Sequence, residues 1–176
     1  MSTTMPLGTR VKLSAMMFLQ FMMFAVFWAA LAPYVTNQGV GWAAWKPWIL
    51  STMALGSLAS PLMGMFADRY FNGEKVLAVS NLICAALLFM TARATSGAEV
   101  FVYLLIALLF YMPTWGLTAA IAMANSPAEQ FPQIRVFGTI GWVSSVLFGL
   151  VAMKVFGVKI DGTNIPFYCG AGAAVA

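Results

Sequence analysis

Long apolar runs, separated by short polar segments, dominate this sequence. A helix that spans a bilayer needs about 20 consecutive, mostly apolar residues, and five of the runs reach that length. A sixth run is only about half as long. We therefore predict an all-α, polytopic membrane protein with five complete transmembrane helices and the start of a sixth. The predicted helices cover residues 11–35, 47–67, 76–95, 100–124, 132–156 and 166–176.

The composition excludes several classes of protein. Of the 176 residues, 62% are hydrophobic and only 8% are charged, which is far more apolar than a water-soluble domain of this size requires. The net charge of +4 is spread over the loops and does not suggest nucleic-acid binding. The chain has no histidine, and its two cysteines lie far apart in apolar runs. We therefore expect no metal site, no cofactor, no catalytic nucleophile and no enzymatic activity.

The first apolar run has some features of a secretory signal peptide. Arg10 and Lys12 lie at its start, and Ala30-Leu31-Ala32 resembles a cleavage site. The run is nevertheless too long for the hydrophobic region of a signal peptide. We therefore expect an uncleaved first helix.

The fifth run carries three polar or aromatic residues at helical spacing. With Arg135 as the reference, Thr139 lies about 40° away around a helix, and Trp142 about 20° to the other side. Gly138 and Gly141 lie near the edges of this face and are expected to leave room beside it. A charge inside a membrane helix needs water, a partner or a ligand, so the shared face favours a polar cavity.

Each of these residues also has a structural interpretation. Arg135 could extend to the lipid headgroups, Thr139 could bond its own backbone, and Trp142 could pack against neighbouring helices. Gln20, in the middle of the first run, could bond another helix or line a cavity. In the fourth run Pro113 predicts a kink beside Thr114.

Three segments together resemble one transporter family. Residues 131–142 read FPQIRVFGTIGW and resemble the fifth-helix signature of the nucleoside:proton symporters, which belong to the major facilitator superfamily. Residues 18–21 resemble the first helix of that family, and residues 111–114 with 116–117 resemble its fourth. The resemblance therefore extends over nearly the whole chain.

A further segment resembles the superfamily as a whole. Residues Gly64 to Arg69 read GMFADR and resemble the start of the signature loop between the second and third helices. The continuation departs from the pattern, because Gly73 is displaced and Glu74 occupies a region that is usually basic. The resemblance implies that Asp68 and Arg69 help to latch the cytoplasmic side of the transporter. The alternative is a short charged turn between two helices.

The resemblance implies a fold, a function and partners. The fold would be the N-terminal six-helix half of a major facilitator transporter, cut short in the sixth helix and missing its C-terminal half. The function would be nucleoside transport coupled to protons, by alternating access in the lipid bilayer of a bacterial inner membrane. Arg135, Thr139 and Trp142 would bind the nucleoside, with Gln20 as a weaker candidate. The residue that carries the proton would lie in the missing half, because the acidic residues here read as loop or helix-end residues.

Two alternatives to nucleoside transport remain. The chain could be a facilitator-type carrier of another small polar solute such as a sugar, or a membrane fragment that does not transport.

A cytoplasmic N-terminus places five basic residues inside and four outside, which agrees weakly with the positive-inside rule. The inside set is Arg10, Lys12, Arg69, Lys75 and Arg135, and the outside set is Lys46, Arg93, Lys154 and Lys159.

Overall fold

The computed structural model describes residues 5–62, 64–65, 72–157, 160 and 162–176. These residues contain helices, turns and loops but no strand, which confirms the predicted all-α class. The helices are α1 Leu7–Asn37, α2 Val40–Ala43, α3 Lys46–Ser57, α4 Gly73–Ala92, α5 Gly97–Ala124, α6 Phe131–Phe156 and α7 Ile165–Val175. Within the described residues, α1, α4, α5 and α6 are long and apolar enough to cross a membrane.

The predicted helix over 47–67 is interrupted in the structure. Helix α3 ends at Ser57, a turn follows at Leu58 and Ala59, and the chain is helical again over residues 60–62 and 64–65. Pro61 explains the interruption, because it has no N–H to donate to the carbonyl of Ser57. The amides of Leu58 and Ala59 instead bond three residues back, to Leu55 and Gly56.

The other helices differ from the predicted ranges by at most four residues at either end, and α4 ends three residues before the predicted residue 95. Helix α1 begins four residues before the predicted start at residue 11, and α4 and α5 each begin three residues early. Side-chain caps fix the last two starts: Asn72 accepts a hydrogen bond from the amide of Glu74, and Ser96 accepts one from that of Glu99. The segment between the first two predicted helices contains the short helix α2.

The helices pack side by side in the order α6, α1, α7, α4, α5, α3. Helices α1 and α5 also meet in the middle of this arrangement, where Phe24, Leu104 and Tyr111 belong to one buried apolar cluster. A smaller cluster towards the N-terminus of α1 includes Met17 and Ile134.

Two side-chain hydrogen bonds mark the opposite ends of the bundle. At one end the guanidinium of Arg10 donates to the amide oxygen of Gln133 at 2.6 Å, which joins the starts of α1 and α6. At the other end the side-chain amide of Asn164 donates to the carbonyl of Ala92 at 3.0 Å, so α7 starts where α4 ends. Helix α7 therefore runs antiparallel to α4, whereas α1 and α6 run parallel to each other.

Candidate functional site

The structure places the three predicted residues of α6 on one open face. Helix α6 is continuous across all of them, so Arg135, Thr139 and Trp142 lie on the same side, over two turns. Arg135 and Thr139 are exposed, and Trp142 retains 37% of its surface exposed. A cation, a hydroxyl donor and an aromatic ring are thus available together.

A different side of α6 contacts α1. This stripe consists of Ile134, Gly138, Gly141 and Ser145, all buried. A side chain added at Gly138 would meet the ring of Phe21, and one added at Gly141 would meet the backbone of Phe18. The prediction of open space beside these glycines is therefore wrong, because α1 fills that space.

A third side of α6 is apolar and exposed. Val136, Ile140, Val143 and Leu147 are between 44% and 54% exposed, and they centre about 100° from the Arg135 face, on the side away from α1. Such a side suits contact with lipid. The Arg135 face lies between the stripe that contacts α1 and this apolar side, so its polar groups need another environment.

Trp142 extends the Arg135 face into an aromatic cluster formed with α1 and α5. Phe24 is at its centre: its ring is parallel to that of Tyr111 (centroids 5.5 Å apart, planes at 4°) and lies 5.6 Å from that of Trp142. Trp115 contacts Phe24 edge-on at 5.4 Å. The members of the aromatic cluster are Phe21, Phe24, Trp28, Tyr111, Trp115 and Trp142.

Gln20 lies one turn before Phe24, and its side chain is bonded to two other helices. It is only 3% exposed, and its side-chain amide donates to Thr114 at 2.6 Å and to Asn81 at 3.3 Å. The amide of Asn81 donates back to the Gln20 oxygen at 2.9 Å. The structure shows both possibilities left open for Gln20, because it bonds other helices and, with Asn81, lines a cavity of about 530 Å³ between α1, α4 and the end of α7.

Several residues of this region were not among the predicted site residues. Trp115 and Phe21 are aromatic residues in strongly apolar helices, where composition does not separate a site from ordinary packing. The sequence could have pointed to Asn81, because an amide in the middle of an apolar helix needs a hydrogen-bond partner. It could also have pointed to Thr114, since this hydroxyl directly follows Pro113 inside α5.

The signature-loop residues fall only partly within the structure. Gly64 is in the short helical stretch after the Leu58 turn. Asp68 and Arg69 lie outside the described residues, so their predicted latch stays a prediction. In the part of the chain that is described, no group of three or more His, Cys, Asp or Glu side chains could hold a metal ion.

The combination of groups on and beside α6 suits a flat ligand with polar edges. An aromatic ring such as Trp142 offers a stacking surface for a planar heterocycle. The guanidinium of Arg135 offers several donors in fixed directions, and the Thr139 hydroxyl can both donate and accept.

Comparison with known proteins gives a consistent result. A sequence model of the family described as "Nucleoside H+ symporter" matches residues 7–176. The chain is 38% identical over 170 residues to the putative nucleoside transporter YegT of Escherichia coli K12, covering 94% of this chain and 40% of YegT. It is 28% identical over 173 residues to the xanthosine permease of the same organism, with the same coverage of each chain.

A solved structure agrees with these sequences. The crystal structure of a mutant of the nucleoside transporter NupG superposes with a TM-score of 0.79 at 27% identity, covering 94% of this chain and 42% of NupG. The chain thus spans about two fifths of the length of the relatives it matches. The matched family is one of transporters rather than enzymes, and this chain, an integral membrane protein by its helices, belongs to the nucleoside H+ symporter family.

Proposed function

We propose that this chain forms the N-terminal half of a proton-coupled nucleoside symporter of the major facilitator type. The observation that carries the proposal is the open face of Arg135, Thr139 and Trp142 in a chain of the nucleoside H+ symporter family. The match to two fifths of longer relatives supports the assignment to one half. Transport then takes place by alternating access, as this half rocks against a C-terminal half around a site near the middle of the membrane.

Each part of a nucleoside has a proposed partner on the open face. The base stacks on Trp142, at the edge of the aromatic cluster. The guanidinium of Arg135 and the hydroxyl of Thr139 donate hydrogen bonds to oxygens of the base or the ribose. In this proposal Gln20 is at most a secondary ligand, because its amide is already bonded to Asn81 and Thr114.

Proton coupling is proposed to depend on the C-terminal half. Coupling requires a titratable group within the membrane, usually a carboxylate or a histidine. The chain has no histidine. Among the described acidic residues, Glu74 and Glu99 lie in the first turns of α4 and α5, and Glu129 lies in the loop before α6.

Uptake into reconstituted vesicles tests the proposal. Residues 1–176 alone should show no saturable nucleoside uptake, because one half cannot close a site that two halves form. The same chain extended by its natural C-terminal half should take up nucleosides, and a proton gradient should increase that uptake. An excess of unlabelled nucleoside should compete, whereas an excess of a sugar should not.

Two results of this experiment would contradict the proposal. Saturable uptake by residues 1–176 alone would indicate a small oligomeric carrier rather than half of a larger one. An extended chain that transports a sugar in preference to nucleosides would contradict the proposed substrate.

Cysteine labelling tests the proposed orientation, with a cytoplasmic N-terminus in the bacterial inner membrane. Gln38, at the end of α1, and Glu129, before α6, are both exposed and belong to opposite ends of the bundle. In a background without Cys84 and Cys169, a cysteine at Gln38 should react with an impermeant maleimide in cells whose outer membrane alone has been permeabilised. A cysteine at Glu129 should react only after the inner membrane is opened. The reverse pattern would contradict the orientation.

A further inference from the structure

Three polar side chains join α1, α4 and α5 in the middle of the bundle, and we refer to Gln20, Asn81 and Thr114 as the polar clasp. The amides of Gln20 and Asn81 bond each other reciprocally, at 2.9 and 3.3 Å. Gln20 also donates to the Thr114 hydroxyl at 2.6 Å, and Thr114 donates to the carbonyl of Tyr111 at 2.5 Å. Both N–H groups of the Gln20 amide are therefore used.

The polar clasp lies beside the proline of α5. Pro113 lies inside α5 and has no N–H, so the carbonyl one turn earlier loses its usual helical donor. The next residue, Thr114, is 1% exposed and is held by Gln20 from the neighbouring helix. Because unsatisfied polar groups are costly in a membrane, this bond holds the segment around Pro113 against α1.

The same residues of α5 support the aromatic cluster. The hydroxyl of Tyr111 donates to the backbone carbonyl of Gln20, and its ring is parallel to that of Phe24. Trp115, directly after Thr114, is stacked with Phe21 at 5.5 Å. Any rotation of α5 at Pro113 would therefore move Tyr111 and Trp115 relative to the aromatic residues of α1.

We infer that the polar clasp positions the aromatic cluster for the ligand, with Asn81 as a positioning residue that does not contact the ligand itself. Asn81 contributes through Gln20, because the reciprocal amide pair orients the Gln20 amide towards Thr114. This inference rests on the proposed function, since the ligand concerned is the nucleoside that stacks at Trp142.

Nucleoside affinity of the complete carrier tests the inference. The Asn81→Leu variant keeps the same number and branching of side-chain heavy atoms but leaves the Gln20 oxygen without its donor. Loss of one such hydrogen bond should weaken nucleoside binding about three- to tenfold. Gln20→Leu should weaken binding at least as much, because it removes all three amide bonds. Should that variant fail to fold, Gln20→Asn keeps the amide group and shortens its reach by one methylene.

A double variant that exchanges the two amides and a matched control variant distinguish a positioning role of the polar clasp from a general loss of protein stability. The double variant Gln20→Asn with Asn81→Gln has the same two amides and the same total volume, so affinity should recover to within about twofold of the parent. Thr91→Val removes another buried hydroxyl of α4, one that bonds only the Leu87 carbonyl of its own helix. It should leave affinity unchanged at temperatures well below unfolding.

Two results would overturn the inference, and both are distinct from a failure of the proposed function. If the parent binds nucleosides and Asn81→Leu binds them equally well, the polar clasp does not position the site. Thermal stability of residues 1–176 in detergent gives the second result and requires no ligand. If Gln20→Leu and Asn81→Leu lower stability additively, the amide pair is not formed. A parent carrier that binds no nucleoside would instead overturn the proposed function, and the clasp's role in it.

Discussion

The Gly141→Ala variant should lose about 1–3 kcal/mol of stability, because its new methyl group would be forced into the backbone of Phe18 on α1. A clash with a flexible side chain can be relieved by rotation, but here the opposing atoms are main-chain atoms inside a helix. The two helices would have to separate along the stripe that buries Ile134 and Ser145. The measurement is the free energy of unfolding, or the midpoint of thermal unfolding, in detergent.

Two glycines of the same helix provide matched controls. An added methyl group at Gly149 would have no atom within 4 Å, so Gly149→Ala should leave stability unchanged or raise it by up to about 1 kcal/mol through helix propensity. At Gly138 the nearest atom is Cδ2 of the Phe21 ring, 2.9 Å away, and the ring can move, so Gly138→Ala should have an intermediate effect. Equal stability of the Gly141→Ala and Gly149→Ala variants would contradict the close approach of α1 and α6.

The regular part of this fold was predictable from the sequence. Long apolar runs in lipid must form helices, because only a helix satisfies all of its own backbone groups there. Once α6 is a helix, the common face of Arg135, Thr139 and Trp142 follows from 3.6 residues per turn. The interruption after α3 could also have been predicted from the sequence, since Pro61 lacks the N–H that would bond the carbonyl of Ser57.

The contacts between helices were not predictable in the same way. Gln20 meets Asn81 and Thr114 across 61 and 94 residues of sequence, and hydrophobic periodicity does not identify such partners. The glycines of α6 show the same difficulty. Small residues let helices approach closely, but they do not say whether the space beside them holds a ligand or, as at Gly141, the backbone of another helix.

The Trp142→Ala variant should have the largest effect on nucleoside affinity. Stacking of a base on an aromatic side chain is worth about 1–3 kcal/mol, which corresponds to about 5- to 150-fold in the dissociation constant. Trp142 is 37% exposed, so part of its surface is open for stacking on the Arg135 face. Trp142→Phe keeps a smaller ring and should retain most of the affinity. Equilibrium binding of a nucleoside to the complete carrier is the measurement, with thermal stability as the test of folding.

Variants at other residues of α6 should weaken nucleoside binding to different degrees, which tests whether the Arg135 face is the binding site. Thr139→Val keeps the shape and removes one hydroxyl, which should cost about 0.5–1.5 kcal/mol. Arg135→Lys keeps the charge but loses the planar set of donors, so it should also weaken binding. Val136, 54% exposed on the apolar side, is the control, and Val136→Leu should bind like the parent. If the variants at Trp142, Thr139 and Arg135 all bind like the parent too, the face is no binding site, and Arg135 serves only to reach the headgroups.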